Sequence, residues 1–202
     1  MMTRRICVTG ANGLAGRAVV RDLLEHGYDV AATDIVARFG EDDVLRADLT
    51  DYGQAVEALT AADAVVHLAN IPAPGLATPA VTFNANMTMN FNVFHAAAKL
   101  KLSRVVWASS ETTLGLPFDV PPRYAPVDEE HYPVPASTYA LSKVASETVA
   151  GQVARWSGIP SWRCGSPTSG NRSTTRSSRP SGTIRCCASG TCGATSTSGM
   201  WR

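Results

Sequence analysis

From Arg5 to Trp156 the chain alternates short apolar runs with longer stretches in which apolar residues recur every three or four positions. Short apolar runs suit strands buried on both faces, and the longer amphipathic stretches suit helices that cover them. Their alternation predicts repeated strand-helix units and a doubly wound parallel α/β sheet. Strands are expected at Arg5 to Thr9, Tyr28 to Asp34, Val44 to Arg46, Ala64 to Ala69 and Arg104 to Ser109. Helices are expected at Leu14 to His26, where Leu14, Val19, Leu23 and Leu24 share a face, and at Tyr52 to Leu59, Thr78 to Leu100 and Ser137 to Trp156. The proline-rich stretch Leu116 to Pro135, which contains Asp128-Glu129-Glu130, reads as an active-site lid or as a stiff connection. The sheet is expected to stop after the fifth strand and its following helix.

Composition changes this picture at one place. The 202 residues carry a net charge of +1, with 45% hydrophobic and 17% charged residues, enough for a packed core. No apolar run approaches the ~20 residues of a membrane span. The start, Met1 to Gly10, has two arginines but too short an apolar stretch for a secretory signal, so a soluble cytoplasmic protein is expected. Residues 1–160 hold all 17 acidic residues and 12 basic ones, a net charge of −5, whereas 161–202 hold six arginines and no acid, a net charge of +6. That last stretch has 17 Ser or Thr, six Gly and four of the five cysteines (Cys164, Cys186, Cys187, Cys192). Its aliphatic content, Ile184, Met200 and two alanines, is too small to offset the entropy of ordering.

A nucleic-acid arm would carry lysine as well as arginine, and a disulfide framework conflicts with the cytoplasmic front part. The cysteine spacings also lack the paired ligands of a zinc site. The favoured reading is translation in the wrong frame. Joining the third base of each codon to the first two of the next lets Ser161 to Ser169 be reread as V-V-A-L-R-F-S-N-V, a buried strand and its turn. In the same frame Cys187 to Arg202 become R-K-W-D-L-W-G-Y-I-D-V-R-D-V-A. Residues 1–160 are therefore read as an incomplete α/β domain and 161–202 as an out-of-frame tail, the consequence of a single-base change near codon 160.

Candidate chemistry begins at Thr9-Gly10-Ala11-Asn12-Gly13-Leu14-Ala15-Gly16, between the first strand and the first helix. Glycine there permits positive φ and close backbone approach to a pyrophosphate, and a helix N-terminus offers unpaired N–H groups. Its third glycine allows tight packing of helix on strand. The spacing departs from G-x-G-x-x-G, so the turn alone leaves an ordinary glycine turn open. Asp34 ends the second strand 18 residues after Gly16, close to the offset at which a carboxylate accepts from the adenosine ribose. Its charge repels a 2′-phosphate and favours NAD over NADP, with Arg38 keeping the second option open. Asp48 ends the third strand, where it reaches the adenine edge or caps the next helix.

The second constellation is Ser137-Thr138-Tyr139-Ala140-Leu141-Ser142-Lys143, with Tyr139 and Lys143 four apart on one helix face. A nearby ammonium stabilises a phenolate, which would let Tyr139 exchange a proton while a hydride passes to or from a nicotinamide. Lys143 would also hold the nicotinamide ribose. A Tyr and a Lys four apart occur by chance on many helices.

Together these residues resemble the short-chain dehydrogenase/reductase superfamily in its extended branch, the NAD-dependent epimerase/dehydratase family, a Rossmann fold. The resemblance is carried by T-G-A-N-G-L-A-G, Asp34, A-D-L at 47–49, H-L-A-N at 67–70, A-S-S-E-T-T-L-G at 108–115 and Y-A-L-S-K at 139–143. It implies Tyr139 as acid-base residue, Lys143 as its partner and Ser110 as the hydroxyl polarising the substrate oxygen, with Ser109, Thr112 and Thr113 as alternatives to Ser110. It also implies that Gly10, Asn12, Gly13, Leu14, Gly16, Asp34, Asp48 and Leu49 hold the cofactor, that Leu68, Ala69 and Asn70 line it, and that Asn86 supports the site. Members often have alanine at the place of Asn70 and glycine at that of Met89. A substrate-binding lobe that would follow residue 160 is replaced here by the tail, which predicts weak or absent NAD binding and little catalysis for the chain as written. A homodimer through the helices beginning at Thr78 and Ser137 is left open.

His67 reads as a core or strand-end histidine, and His26, His95 and His131 lack the carboxylate pairs of a metal site. Cys7 reads as a small buried apolar residue. Neither nucleic-acid nor membrane partners are expected. The favoured function is an NAD-dependent oxidoreductase, epimerase or dehydratase acting on a sugar, uronate or nucleotide-sugar. The alternatives are a non-catalytic NAD(P)-binding regulatory module of the same fold and an inactive fragment.

Overall fold

The computed structural model describes residues 4–36, 44–115, 121–128 and 131–166. Six strands run β1 (Arg5–Thr9), β2 (Asp29–Asp34), β3 (Val44–Arg46), β4 (Ala64–His67), β5 (Arg104–Ser110) and β6 (Ser161–Ser166). Four helices are interleaved with them: α1 (Leu14–Glu25), α2 (Tyr52–Leu59), α3 (Pro79–Lys99) and α4 (Thr138–Ser157). The sheet is parallel throughout in the order β3-β2-β1-β4-β5-β6. The chain winds outward from β1 through β2 to β3, then returns to lay β4 on the other side of β1. A parallel sheet with this reversal opens a crevice at the carboxyl ends of β1 and β4.

Local chemistry sets the helix ends. Asp51 caps α2 by accepting from the Gln54 amide, and Ser137 caps α4 by accepting from Ala140 at 3.1 Å. Pro79 opens α3 at a position where no intrahelical N–H is lost. The left-handed Gly158 (φ 71°) closes α4. Under one face of the sheet α2, α3 and α4 bury Leu59, Val65, Val93, Val105 and Trp107, with Phe94 edge-on to Trp107 at 5.3 Å. The other face packs α1 over Val8, Ala11 and Ala32. Cys7 lies in the first core, where burial pushes its thiol up to about 12 against the opposing pull of Arg5.

The expected elements form, with two differences. β4 ends at His67: the Leu68 amide makes the last ladder bond, to the Thr9 carbonyl at 3.1 Å, and the Ala69 amide turns to the Thr9 side chain instead. The sheet also runs one strand further than the truncation after the fifth strand allowed. The backbone of Ser161–Ser166 pairs with Val105–Ser110, and the Val105 amide donates to the Pro160 carbonyl. Strand pairing uses backbone groups, so composition did not forbid it. The tail residues 167–202, including Cys186, Cys187 and Cys192, lie outside the described residues.

Candidate active site

The turn after β1 is shaped by what a side chain would strike. Gly10 has φ +70°, and a Cβ there would lie 2.7 Å from the Ala69 nitrogen. At Gly16 a Cβ would lie 2.0 Å from the Gly10 carbonyl oxygen, so only glycine lets α1 seat on the turn. Gly13 is the N-cap of α1 and supplies no side-chain cap. The first turn of the helix therefore presents amides to the crevice with no side chain answering them, which fits an anionic group. Leu14 stands beside them, 86% exposed.

Asp34 ends β2 at the rim of this turn. Its carboxylate accepts from the Asn12 amide at 2.9 Å and the Val36 amide at 3.1 Å, and Asn12 Nδ2 donates to the Val36 carbonyl. The acid thus clamps the glycine turn to the end of β2 and retains acceptor capacity for a hydroxyl pair. Asp48 accepts from the Thr50 amide and hydroxyl at 2.9 and 2.7 Å, and Asp51, not Asp48, caps α2. Leu49 is 3% exposed and packs in the core, so its side chain faces away from the crevice rim. Arg38 lies outside the described residues.

On the same edge, three strands away, β5 ends at Ser110 and α4 starts with Tyr139 in its first turn. The Tyr139 hydroxyl is hydrogen-bonded to the Ser110 side chain. The Ser110 hydroxyl also accepts from the Thr112 hydroxyl at 2.9 Å and its amide at 3.3 Å, which orients it at the N-terminus of a 3₁₀ turn, Glu111–Leu114. Thr113 donates back to the Ser110 carbonyl and is buried, and Ser109 donates to Glu147 at 2.5 Å. Ser110 is thus the serine that meets Tyr139.

Lys143, one turn further along α4, is 1% exposed. Its ammonium donates to the Ala108 carbonyl at 2.7 Å and lies 5.7 Å from the Trp107 ring centre and 5.8 Å from that of Tyr139. Burial pushes its pKa down to about 7, with the Glu147 carboxylate holding it up. The expected lowering of the phenol by the ammonium is not what this arrangement produces. Burial raises Tyr139 above its ordinary value, the Ser110 hydrogen bond opposes that, and the Glu111 charge adds to it. The phenol is removed from water while the nearest ammonium is turned toward a carbonyl.

Between the two ends lies a buried polar seam. Asn86 is fully buried and exchanges hydrogen bonds with both backbone groups of Ile71, at 2.8 and 3.1 Å, which fixes the loop after β4. Asn70 Nδ2 donates to the Ala69 carbonyl and to Asn90 Oδ1, while Asn70 Oδ1 is a buried acceptor without a partner. His67 is 0% exposed and bonded to Thr9 at 2.7 Å and Asn90 at 2.9 Å. Burial first, and the Lys143 charge second, push its pKa down to about 3, so it is a neutral core imidazole. Thr9, Asn90, Ser142, Ser146 and Glu147 were missed from the sequence. The available signal was Asn86 and Asn90 four apart on α3, facing Ser142 and Ser146 four apart on α4.

The strand order, the glycine turn, the acid ending β2 and the Ser-Tyr-Lys cluster ending β5 define a dinucleotide-binding domain of the short-chain dehydrogenase/reductase type. The chain belongs to the NAD dependent epimerase/dehydratase family, whose model matches residues 6–185. That span passes residue 160 and takes in β6. A structure of a short-chain dehydrogenase/reductase superfamily protein from Agrobacterium tumefaciens with bound NAD is 26% identical with a TM-score of 0.73, over 81% of this chain and 49% of that one. A UDP-galactose 4-epimerase structure is 32% identical with a TM-score of 0.70, over 80% and 55%. The UDP-glucose 4-epimerase of Bacillus subtilis (strain 168) is 28% identical over 162 residues, 71% of this chain and 46% of that enzyme. The chain thus spans about half the length of the relatives it matches. Among the described residues no helix is long and apolar enough to cross a membrane.

Proposed function

We propose that this chain is the cofactor-binding part of an NAD-dependent oxidoreductase, epimerase or dehydratase that acts on a hydroxylated small molecule, a sugar, uronate or nucleotide-linked sugar. The observation that carries the reading is the pairing of the Tyr139 and Ser110 hydroxyls at the sheet edge that also bears the glycine turn, with Lys143 buried behind them. The relatives named for UDP-sugars support the substrate class. NAD, when bound, supplies a hydride acceptor or donor. The first-turn amides of α1 with Gly10, Asn12, Gly13, Leu14 and Gly16 would hold its phosphates, Asp34 with Asp48 and the Leu49 backbone its adenosine end, and Leu68, Ala69, Asn70 and Asn86 would line its path.

Tyr139, held protonated by burial, is placed to give its Oη proton to a substrate oxygen and recover it in the reverse direction. Ser110 donates to the same oxygen, and Lys143 balances charge as the phenol loses its proton. In the frame-restored protein Tyr139→Phe lowers turnover of a UDP-sugar or uronate about 100- to 10,000-fold, read by NADH absorbance for a dehydrogenation and by chromatography of the sugar product for an epimerisation or dehydration, with NAD affinity changed less than about twofold. Unchanged turnover would sink this reading in favour of a cofactor-binding module without chemistry. Residues 161–202 we read as out-of-frame. The nucleotide sequence around codon 160 tests this, and the absence of an alternative open frame encoding acidic, aliphatic protein removes it.

A further inference from the structure

The buried seam runs in one direction. The Thr9 hydroxyl oxygen accepts from the Ala69 amide at 3.3 Å and shares the Leu68 amide, at 3.2 Å, with the Thr9 carbonyl at 3.1 Å, so it serves these amides as acceptor and its proton is left for His67 Nδ1 at 2.7 Å. The imidazole then carries its own proton on Nε2, which donates to Asn90 Oδ1 at 2.9 Å. Asn90 Oδ1 also accepts from Asn70 at 3.2 Å, and Asn90 Nδ2 donates to Ser146 Oγ at 2.7 Å. Ser146 passes its proton toward the Met87 sulfur at 3.4 Å. Every donor and acceptor of Asn90 that faces β4 or α4 is therefore used. His67, Asn90 and Ser146 are each at most 1% exposed, so water does not compete for these bonds.

The two ends of this chain matter. Thr9 and Ala69 flank Gly10, the residue whose missing Cβ lets the turn touch the loop after β4. Ser146 lies one turn beyond Lys143 on α4. We propose that Asn90 is a positioning residue that ties the loop at 68–70 to the helix carrying Tyr139 and Lys143, and so fixes the spacing between the dinucleotide and the proton donor. The link to the dinucleotide rests on the function proposed above; the connection from Ser146 to Thr9 does not.

The test uses the 202-residue chain in two variants, Ser146→Ala, which removes the far acceptor together with its bond to the Met87 sulfur, and Asn90→Leu, which removes the hub at similar volume. In the wild-type chain nitrogen NMR of His67 shows the proton on Nε2. Ser146→Ala moves the amide signals of Leu68 and Ala69 although it lies on another element, and Asn90→Leu gives a mixture of His67 tautomers. NAD titrated by calorimetry binds about fivefold more weakly to Asn90→Leu, the effect of one hydrogen bond. Folded variants in which His67 keeps a single tautomer and the 68–69 amides stay unmoved would overturn the proposal. Moved amides and mixed tautomers with NAD affinity equal to wild type would equally overturn it, as a connection that positions nothing. The NAD titrations use the protein with its reading frame restored after codon 160, and a frame-restored wild type that shows the NMR signature but binds no NAD counts against the proposed function instead.

Discussion

The two sides of the crevice are made of different material. On the β1–β2 side the surfaces are backbone: a turn of glycines, the uncapped first amides of α1, and one carboxylate that holds the turn to the neighbouring strand. On the β5–α4 side they are side chains taken out of water, with Lys143 at 1% exposure and Tyr139 at 9%. The backbone side needs space and conformation, and a single extra carbon destroys it. The side-chain side carries unfavourable desolvation, offset by hydrogen bonds to Ala108 and Ser110, and that same desolvation favours the neutral form of each group, lowering the Lys143 pKa and raising that of Tyr139. One side is built to be occupied and the other to react.

The sharpest way to break this contrast is at Gly16. Gly16→Val forces carbon into the Gly10 carbonyl and the Ala11 backbone, neither of which can move without unseating α1. We expect a loss of about 3 kcal/mol or more by urea unfolding, together with loss of NAD binding. A stable variant that still binds NAD would mean that the turn is not the rigid element described here.

On the other side a substitution should stabilise. The Lys143 pKa falls from 10.5 in the unfolded chain to about 7 in the folded one, so folding releases a proton between these values. The unfolded state binds more protons there, and stability rises with pH across that window. The cost of the buried ammonium is fully present below pH 7 and fades toward 10.5. Lys143→Met removes the charge but leaves the Ala108 carbonyl unpaired, so the net gain should be about 2 kcal/mol at pH 6 and should shrink as pH rises to 9. Urea midpoints at the two pH values check this. A destabilised Met variant at pH 6 would show that the ammonium is structural, not held for chemistry.

These differences also decide what could be read from sequence. Glycines with a strand before and a helix after leave a linear signature, and the turn, Asp34 and the helix at Tyr139 stood where spacing put them. Asp48 and Leu49 were harder. An acid after a strand serves a ligand or a cap equally well, and only the structure shows that Asp48 bonds Thr50 while Leu49 enters the core. The behaviour of Tyr139 was not legible, because proximity of Lys143 along a helix says nothing about which acceptor the ammonium turns toward. The α3–α4 seam was hidden for a related reason: Asn90 and Ser146 are distant in sequence, and polar residues on helices ordinarily face water.

A third test uses the buried imidazole. His67 is neutral in the folded chain, with its pKa pushed from 6.5 to about 3, so unfolding takes up a proton between these values. Its contribution to stability is present above pH 6.5 and is lost as pH falls toward 3. At pH 5 the loss is about 2 kcal/mol relative to pH 7. His67→Gln, compared with wild type at both pH values, should lack this part of the acid sensitivity. An identical slope in the variant would place the imidazole in contact with water and dissolve the distinction between the wet and the dry side.

The smallest effect belongs to Asp34, whose carboxylate serves the backbone side by shape and a cofactor by charge. Asp34→Asn keeps the shape but replaces one carboxylate oxygen by a donor that cannot accept from both Asn12 and Val36. Stability should fall by about 1 kcal/mol, the loss of one charge-assisted bond at a half-exposed site. NAD should bind a few-fold more weakly, while NADP, no longer repelled, gains relative to it. Calorimetry with both nucleotides separates the two contributions. If the ratio of the two affinities is unchanged while stability drops, Asp34 acts only as the clamp between the turn and β2, and selection between the nucleotides must come from elsewhere on the rim.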